Sequence, residues 1–339
     1  MSALSHRTQT LISLGVFFKK SIGVFSAILP QVRAKNGWFE PEMVQQALHA
    51  WSEALVPEAV HFWLKDVVEP ETKKKVGIVA AGNIPLVGLH DILSAYACGH
   101  EVYVKPSQDD ALLYPLIFTF LQQSDASCVV ECVDRLKGMD VVIGTGSSNT
   151  TRYFEQYFGH LPHLFRGTRH SAAWIDEQTS TEDLHLLGRD VFDYFGLGCR
   201  NVTHLLLPKA YDIQHIFKAW PTFSSVGDNK KYGNNYDYHR ALYMMNGDAF
   251  LENGFVILRE SPVLASPVSV VHWHRYESTA EGVEWLESQA DRLQCVVGPN
   301  RLSLKGIEIV PYGKSQSPAL WDYADRINTL DFLGKLNSA

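Results

Sequence analysis

The stretch of this sequence best suited to chemistry is a cysteine that follows a glycine-rich turn, Gly196-Leu197-Gly198-Cys199-Arg200. An apolar, strand-like run from Val202 to Leu207 comes directly after it. Glycine beside a reactive atom lets the backbone and a ligand approach closely, and a neighbouring arginine favours the nucleophilic thiolate. Two interpretations follow from this stretch alone: a reactive thiol, or a small buried cysteine in a turn.

Three further polar or glycine-rich segments each follow a short apolar run. They are Gly82-Asn83-Ile84-Pro85, Lys105-Pro106-Ser107-Gln108 and Gly144-Thr145-Gly146-Ser147. Ligands of open α/β sheets bind at the carboxyl ends of strands, so these segments are candidates for one site. The third precedes a predicted helix, where backbone amides are suited to cradle a phosphate. Because no G-x-G-x-x-G fingerprint follows the first strand, a standard dinucleotide-binding assignment fails.

Short apolar runs alternate with helical segments through most of the chain, which predicts an α/β protein with doubly wound parallel sheets. A second alternating segment begins near residue 171. We therefore predict two domains, residues 1–165 with N-terminal helices and residues 166–310, with a tail at 311–339 that packs on the first domain or on a partner subunit. Residues 41–65 are predicted as one helix, and the polar and aromatic residues 221–240 as a long loop.

Composition narrows the class of protein. The 339 residues carry a net charge of −7 without a basic cluster, which argues against a nucleic-acid partner. The five cysteines are scattered, as in a reducing cytoplasm, and we expect a cytoplasmic protein. Lys19 and Lys20 interrupt the apolar N-terminal residues, so we expect a helical cover on the main body there and no integral membrane segment.

Taken in order, these motifs resemble a known family. Asn83-x-Pro85, Val104-Lys105-Pro106-Ser107, Gly144-Thr145-Gly146-Ser147, Gly198-Cys199 and Glu260-Ser261-Pro262-Val263-Leu264 together resemble the aldehyde dehydrogenase superfamily. Residues 81–86, 194–202 and 322–325 are more closely similar to the acyl-CoA reductases of the LuxC type. The resemblance implies two α/β domains with the active site in the cleft between them. It also implies NAD(P)H-dependent reduction of a fatty acyl-CoA to an aldehyde.

The resemblance implies a role for each matching residue. Cys199 attacks the thioester and coenzyme A leaves, while the Asn83 side-chain amide stabilises the oxyanion. The predicted cofactor-binding residues are Lys105, Ser107, Gln108, Gly144, Gly146, Ser147 and Glu260. Family members that prefer NAD often carry an acidic residue at the position of Gln108, and such a residue would repel the 2′-phosphate of NADPH. Because Gln108 is neutral and Lys105 is close in sequence, we expect NADPH, with NADH as the alternative. Without the resemblance, the sequence would predict Asn83 to be a turn residue. It would predict Glu260 to be a solvated charge at the end of a strand.

One departure from the family bears on the reaction. Aldehyde dehydrogenases that release a free acid carry a water-activating glutamate ahead of the cysteine, whereas the matching stretch here is Phe165-Arg166-Gly167-Thr168-Arg169. Its absence favours acyl reduction over hydrolysis. We also expect Arg166 and Arg169 to be either contacts for coenzyme A phosphates or plain surface arginines.

Alternatives stay open at this point. One is a cysteine-dependent acyltransferase or thioesterase without hydride transfer, and another is a non-catalytic relative that binds a nucleotide or a partner protein. A homo-oligomer or a partner subunit is compatible with the sequence. His272-x-His274 has the spacing of a metal pair on a strand, but no third ligand lies nearby in the sequence. We predict packing histidines and no metal site there.

Overall fold

The protein divides into two compact units. A computed structural model describes residues 2–20, 22–107, 110–146 and 148–337. Met1–Thr168 and Pro318–Ala339 form the first unit, and Arg169–Ser317 form the second. Among the described residues, no helix is long and apolar enough to cross a membrane.

A parallel sheet organises the first unit. Its strands are β1 (Lys75–Val79), β2 (Glu101–Lys105), β3 (Val130–Cys132), β4 (Val141–Thr145) and β5 (His163–Arg166). Within the described residues they form a five-stranded sheet in the order β3-β2-β1-β4-β5. The chain extends from β1 to one side and then returns to its other side, so β1 is the topological switch strand. Its buried residues, such as Val76 and Ile78, suit a strand covered on both faces.

Helices cover this sheet. The crossover helices are α6 (Leu89–Ala97), α7 (Tyr114–Ser124) and α8 (Ser148–Phe158). The N-terminal helices are α1 (Ala3–Lys20), α2 (Ile22–Ser26), α3 (Leu29–Lys35), α4 (Pro41–Ala54) and α5 (Pro57–Leu64). Leu11, Leu14 and Phe18 of α1 are buried in the same hydrophobic core as the strands, which accords with the predicted N-terminal cover. The predicted single helix at 41–65 is two helices, because Pro57 starts a new one.

A buried ion pair ties the end of β5 to the C-terminal tail. Nη1 of Arg166 contacts Oδ2 of Asp91 at 2.5 Å, and its Nη2 donates to Oγ1 of Thr329 at 2.8 Å. Thr329 begins helix α13 (Thr329–Gly334). The expectation that Arg166 meets solvent or a coenzyme A phosphate is wrong, since Arg166 is 3 % exposed and paired. A buried guanidinium needs a carboxylate partner, and Asp91 supplies it.

The second unit holds a larger sheet. Its strands are β6 (His170–Trp174), β7 (Val202–Pro208), β8 (Leu251–Glu252), β9 (Ile257–Glu260), β10 (Val270–Tyr276), β11 (Leu293–Val297) and β12 (Glu308–Val310). Among the described residues these form a seven-stranded sheet in the order β12-β11-β6-β7-β10-β9-β8. All neighbours pair in parallel except β8 with β9. The helices are α9 (Thr181–Phe192), α10 (Gln214–Ala219), α11 (Lys230–Asn246) and α12 (Thr279–Ser288).

The predicted loop at 221–240 is wrong. A 3-10 helix spans Pro221–Asp228, and α11 begins at Lys230. Asn229 caps α11, since its side chain accepts from the backbone N–H groups of Lys231 and Tyr232. Two of the aromatic residues that suggest a loop, Tyr232 and Tyr236, instead lie one turn apart on the buried face of this helix.

We expect the Arg166→Met substitution to destabilise the first unit, because it breaks the buried ion pair. Removing the cation leaves the Asp91 carboxylate buried without its partner, which typically costs about 3–5 kcal/mol. Hydrogen exchange of the β5 amides should report this loss as a lower free energy of opening. Arg33→Met is the matched control, because Arg33 is 60 % exposed in its pair with Glu40 and such pairs contribute at most about 1 kcal/mol. Equal effects of the two substitutions would contradict the assignment.

Candidate active site

Cys199 lies in a tight segment between α9 and β7, residues 193–201, which we name the cysteine loop. It begins with a 3-10 turn, Asp193–Gly196. Three successive residues in this turn have positive φ: Tyr194 (54°), Phe195 (58°) and Gly196 (75°). A left-handed backbone costs a residue other than glycine about 1–2 kcal/mol. Contacts elsewhere must therefore hold Tyr194 and Phe195 in this conformation.

The side chain of Asn201 supplies those contacts, and we name this set of hydrogen bonds the Asn201 clasp. Its Oδ1 accepts from the backbone N–H of Gly198 at 2.8 Å. Its Nδ2 donates to the carbonyl oxygens of Asp193 at 2.8 Å and Asp190 at 3.1 Å. Asn201 is fully buried, and a buried polar group left without a partner costs about 1–3 kcal/mol. The clasp thus opposes opening of the strained turn and fixes the backbone on both sides of Cys199.

Exposure distinguishes Cys199 from the buried Cys98 and Cys295 and from the half-buried Cys128. Burial raises the pKa of the thiols of Cys98 and Cys128 to about 12, and that of Cys295 to about 11. Those thiols stay protonated near neutral pH. Cys132 is exposed as well, but desolvation also raises its pKa. Cys199 is exposed at the end of the cysteine loop, where a substrate can reach the sulfur.

The loop is also tied to the neighbouring strand β6. Oγ of Ser171, a fully buried residue, donates to the carbonyl oxygen of Cys199 at 3.0 Å. The same hydroxyl lies 3.2 Å from Sγ of Cys295. Ser171 pairs in register with Val202 at the start of β7. The backbone of Cys199 is therefore held at the amino ends of β6 and β7.

Arg200 forms side-chain contacts that hold the cysteine loop within the second unit. Its Nη2 donates to both carboxylate oxygens of Glu308 at 3.0 Å, and its Nε donates to the carbonyl oxygen of Ser315 at 2.8 Å. The guanidinium is buried and its charge is balanced by Glu308. Arg200 thus joins the cysteine loop to β12 and to the segment at 313–315, and the activation of the thiol by its charge stays a prediction.

The carboxylate of Asp190 also contacts the segment at 313–315. It accepts from the backbone N–H of Gly313 at 2.6 Å and of Ser315 at 2.9 Å. Desolvation raises the pKa of Asp190 to about 6, although the two backbone donors act in the opposite direction. Asp190, Ser171 and Asn201 are residues that the sequence pattern does not single out, because each acts through partners distant in sequence or through its own backbone turn.

The first unit brings several predicted residues to one edge. Val79, the last residue of β1, pairs with Lys105 on one side and with Gly144 on the other. Asn83 follows β1 by four residues and is exposed, as is Lys105. Ser107, half-buried, lies two residues beyond β2. These residues share the carboxyl edge of the sheet beside its switch strand, where open α/β sheets bind ligands.

The two glycines at this edge permit close packing of a helix. A Cβ at Gly144 would lie 2.8 Å from ring atoms of Phe154, and one at Gly146 would lie 2.7 Å from Cγ2 of Thr150. Both neighbours belong to α8, so the glycines let this helix approach the end of β4. Gln108 and Ser147 lie outside the described residues.

The Asn83 turn has its own support, which the sequence does not reveal. Leu86 has a positive φ of 59°, and its backbone N–H donates to Oδ2 of Asp110 at 2.9 Å. Asp110 is 1 % exposed. A buried carboxylate that accepts this hydrogen bond holds the turn in its left-handed conformation and so fixes the position of Asn83.

Strand register places Glu260 within the second sheet. It ends β9 and aligns with Trp273 of β10, which belongs to a strand paired in parallel with β7, where Trp273 aligns with Leu205. Cys199 precedes the start of β7 at Val202. Three residues of strand and two inter-strand spacings separate Val202 from Glu260, roughly 14 Å. The register thus places Glu260 level with Leu205, three residues beyond the start of β7.

The histidines at 272 and 274 take part in packing contacts. Nδ1 of His272 and Nδ1 of His204 both contact the carbonyl oxygen of Val263, at 2.8 and 3.1 Å. Nδ1 of His274 lies 2.6 Å from Nε2 of His204, and Trp285 covers both rings. Across the described part of the chain, no group of three or more His, Cys, Asp or Glu side chains is placed to hold a metal ion.

Comparison with solved structures identifies the fold as that of the aldehyde dehydrogenases, which confirms the predicted fold class. Aldehyde dehydrogenase 21 from Physcomitrella patens is similar with a TM-score of 0.70 at 13% identity, over 98% of this chain and 85% of that one. An NAD-dependent aldehyde dehydrogenase from Sinorhizobium meliloti gives 0.66 at 12% identity, over 89% and 71%. Betaine aldehyde dehydrogenase from Staphylococcus aureus, solved with NAD+, gives 0.65 at 11% identity, over 91% and 75%.

These likenesses establish the fold alone, because the identities are low. No protein-family model matches the sequence, and no curated protein matches it.

We expect Asn201→Ala to release the cysteine loop. The substitution removes the acceptor of the Gly198 N–H and the donor to two carbonyl oxygens, which should lower the free energy of unfolding of the second unit by about 2–3 kcal/mol. The rate of alkylation of Cys199 by iodoacetamide should change with it. Asn235→Ala is the control, because Asn235 is half-buried and donates only within α11 in its described contacts. Wild-type stability together with a wild-type alkylation rate would rule out the clasp.

Asp190 should make the stability of the second unit fall as pH rises. Its pKa is about 6 in the folded chain and about 3.9 in an unfolded chain, so between these values the folded state binds more protons. The contribution of Asp190 is then largest below about pH 4 and is lost as pH rises through about 6. Unfolding measured at several pH values for wild type and Asp190→Asn tests this. A difference between them that does not vary from pH 4 to 7 would refute the shift.

Proposed function

We propose that this chain reduces an acyl-CoA thioester to an aldehyde with NAD(P)H, through an acyl-Cys199 intermediate. The observation that carries the proposal is the presentation of Cys199 within an aldehyde dehydrogenase-like fold. The thiol is exposed at the end of a strained loop that the Asn201 clasp holds closed. Such a construction gives a nucleophile a fixed position, and an ordinary buried turn cysteine has no need of it.

The residues at the carboxyl edge of the first sheet fit a nicotinamide cofactor. The exposed Lys105 ammonium offers a donor and a positive charge to a ribose or its 2′-phosphate, and Ser107 adds a hydroxyl two residues further on. The close approach of α8 to β4 at Gly144 and Gly146 brings the first turn of a helix to the same edge, where an anion is favoured. Lys105 and Ser107 are the residues that would hold the adenosine ribose. The positive charge is the reason to propose NADPH ahead of NADH.

The chemistry of Cys199 follows from its position. The sulfur attacks the thioester carbonyl carbon, and the new C–S bond forms as the carbonyl π electrons move to oxygen. The Asn83 side-chain amide donates to that oxygen in the proposal, together with the backbone N–H of Cys199. When the oxyanion collapses, the bond to coenzyme A breaks and its thiolate leaves. The cofactor, when bound, supplies the hydride that converts the acyl-cysteine to an aldehyde. Loss of the aldehyde then returns Cys199 to its thiolate.

The absence of an acidic residue from residues 165–169 favours reduction over hydrolysis. The stretch Phe165-Arg166-Gly167-Thr168-Arg169 contains no acid to activate a water molecule. Arg166 is committed to Asp91, and Nη1 of Arg169 donates to the carbonyl oxygens of Ala290 and Leu293 at 3.4 and 3.2 Å. An acyl-Cys199 intermediate is thereby left without a general base from this segment and survives for reduction.

A second candidate is a cysteine acyltransferase or thioesterase. It rests on the same exposed Cys199, whose thiol forms an acyl adduct whether or not a cofactor is bound. This candidate predicts formation of acyl-Cys199 without oxidation of NADPH. Acyl-CoA and protein mixed without cofactor give the same thioester adduct under both proposals, so only the cofactor signal distinguishes them.

We expect the protein to oxidise NADPH when mixed with a panel of acyl-CoAs, as followed by cofactor absorbance. Cys199→Ala should abolish turnover, and Asn83→Ala should lower it by about 10²–10³ because an oxyanion donor is lost. Asn235→Ala, at a half-buried asparagine on α11, is the matched control and should leave the rate unchanged. The same panel with NADH measures the cofactor preference.

Two results would decide against the proposal. Turnover by Cys199→Ala near the wild-type rate excludes the acyl-cysteine mechanism. Mass spectrometry that shows acyl-Cys199 without any NADPH or NADH oxidation would support the acyltransferase candidate in its place.

A further inference from the structure

A cavity of about 600 Å³ lies at the carboxyl ends of the central strands of the second sheet. Segments that follow four neighbouring strands line it: residues 299–302 after β11, 176–178 after β6, 209–210 after β7 and 277–279 after β10. We name it the carboxyl-end cavity. Its volume is within the range of about 300–1,000 Å³ that is usual for small-molecule sites.

The carboxyl-end cavity occupies the topological switch point of this sheet. From β6 the chain builds β7, β9 and β10 on one side and later β11 and β12 on the other. The loops that leave β6 and β11 therefore separate in opposite directions and open a crevice between them. Ligands of open α/β sheets bind in a crevice of this kind.

This location is distinct from that of Cys199. The cysteine loop precedes Val202 at the amino end of β7, and Lys209 follows Pro208 at the carboxyl end of the same strand. Six residues of extended strand span roughly 20 Å. A ligand in the carboxyl-end cavity thus lies at the opposite edge of the sheet from the proposed nucleophile.

An aromatic pair forms a rigid floor. Trp174 and Tyr276 stack with ring centroids 4.4 Å apart and an interplanar angle of 17°. The Tyr276 hydroxyl donates to the carbonyl oxygen of Ile175 at 2.9 Å, and the Tyr312 hydroxyl donates to that of Trp174 at 2.5 Å. A Cβ at Gly282 would lie 2.5 Å from the Trp174 ring. Glycine at this position of α12 therefore leaves room for the ring. The floor is fixed before any ligand arrives.

The walls carry both signs of charge. Nη2 of Arg301 contacts both carboxylate oxygens of Asp176, at 2.6 and 2.7 Å, which orients the guanidinium. Nζ of Lys209 contacts Glu277 at 2.8 Å, and both of these side chains are more than 60 % exposed. Such an exposed pair is weak and exchanges readily for contacts with a ligand. Glu177 adds a third carboxylate, so the cavity offers cations to an anionic group and acceptors to donor groups.

We propose that the carboxyl-end cavity is a second binding site, for a small polar molecule with an anionic group beside hydroxyl or ammonium donors. Lys209 and Arg301 contact the anionic group, and the carboxylates of Glu177 and Glu277 accept from the donors. α12 begins at Thr279 in the same wall, and the positive end of its dipole also favours the anion. An acyl chain does not fit this description, since charged side chains form the walls.

Calorimetric titration with ribose 5-phosphate and with L-glutamine tests the proposal and distinguishes its two sources of ligand. The first probe pairs a phosphate with hydroxyls, and the second pairs a carboxylate with an ammonium. At least one should bind saturably, and hydrogen exchange should slow in residues 176–179 and 277–281. The Lys209→Ala, Arg301→Gln double variant should bind at least tenfold more weakly. Arg240→Gln is the matched control, because Arg240 is an exposed arginine paired with Glu252 elsewhere in this unit.

Several outcomes would overturn the proposal. One is the absence of saturable binding by both probes, and another is unchanged affinity in the double variant. Inorganic phosphate binding as tightly as ribose 5-phosphate would show that the carboxylates contribute nothing. Protection confined to residues 82–88 or 105–107 would place the probe at the first sheet. Cys199→Ala should bind the probes as wild type does. The test of this cavity is therefore independent of the acyl reduction proposed above.

Discussion

The Asn201 side chain is the contact on which the geometry of the proposed nucleophile depends. Tyr194 and Phe195 are held in a left-handed backbone that neither residue favours, and the fully buried amide satisfies the peptide groups on both sides of that turn. The cost of the turn is offset locally, because the same amide would lose its partners if the loop opened. Arg200 and Asp190 extend this arrangement to the segment at 313–315, so the backbone at Cys199 is connected to α9, β12 and the loop beyond β12.

The polarity of parallel strands distributes the chemistry of the chain. In the first sheet, the carboxyl ends of β1, β2 and β4 collect Asn83, Lys105 and the two glycines at one edge. In the second sheet, the amino ends of β6 and β7 carry Ser171 and Cys199, whereas the carboxyl ends open into the carboxyl-end cavity. Because neighbouring strands in each central region run the same way, segments that follow the strands gather mainly at one edge and segments that precede them at the other.

Several arginines that look available in the sequence serve the fold. Arg166 is paired with Asp91 in the first unit, Arg200 with Glu308 in the second, and Arg169 donates to carbonyl oxygens near the end of α12. A guanidinium loses water contacts when it is covered, and only a carboxylate or several carbonyl oxygens replace them. The cations that stay at the surface, such as Lys105 in the first unit and Lys209 in the second, are the ones left for ligands.

The sequence by itself determined the α/β class and much of the element pattern. Apolar runs between turn residues are local signals, and they predicted the alternation of short strands and helices that both units show. Tertiary structure decided the rest. The aromatic residues of α11 form a helix because Tyr232 and Tyr236 find a buried face, which local composition cannot show. It likewise placed Asn201, Asp190 and Asp110 around the two turns. Hydrogen bonds between distant residues and strand register decide such positions, and neither is encoded in the local pattern.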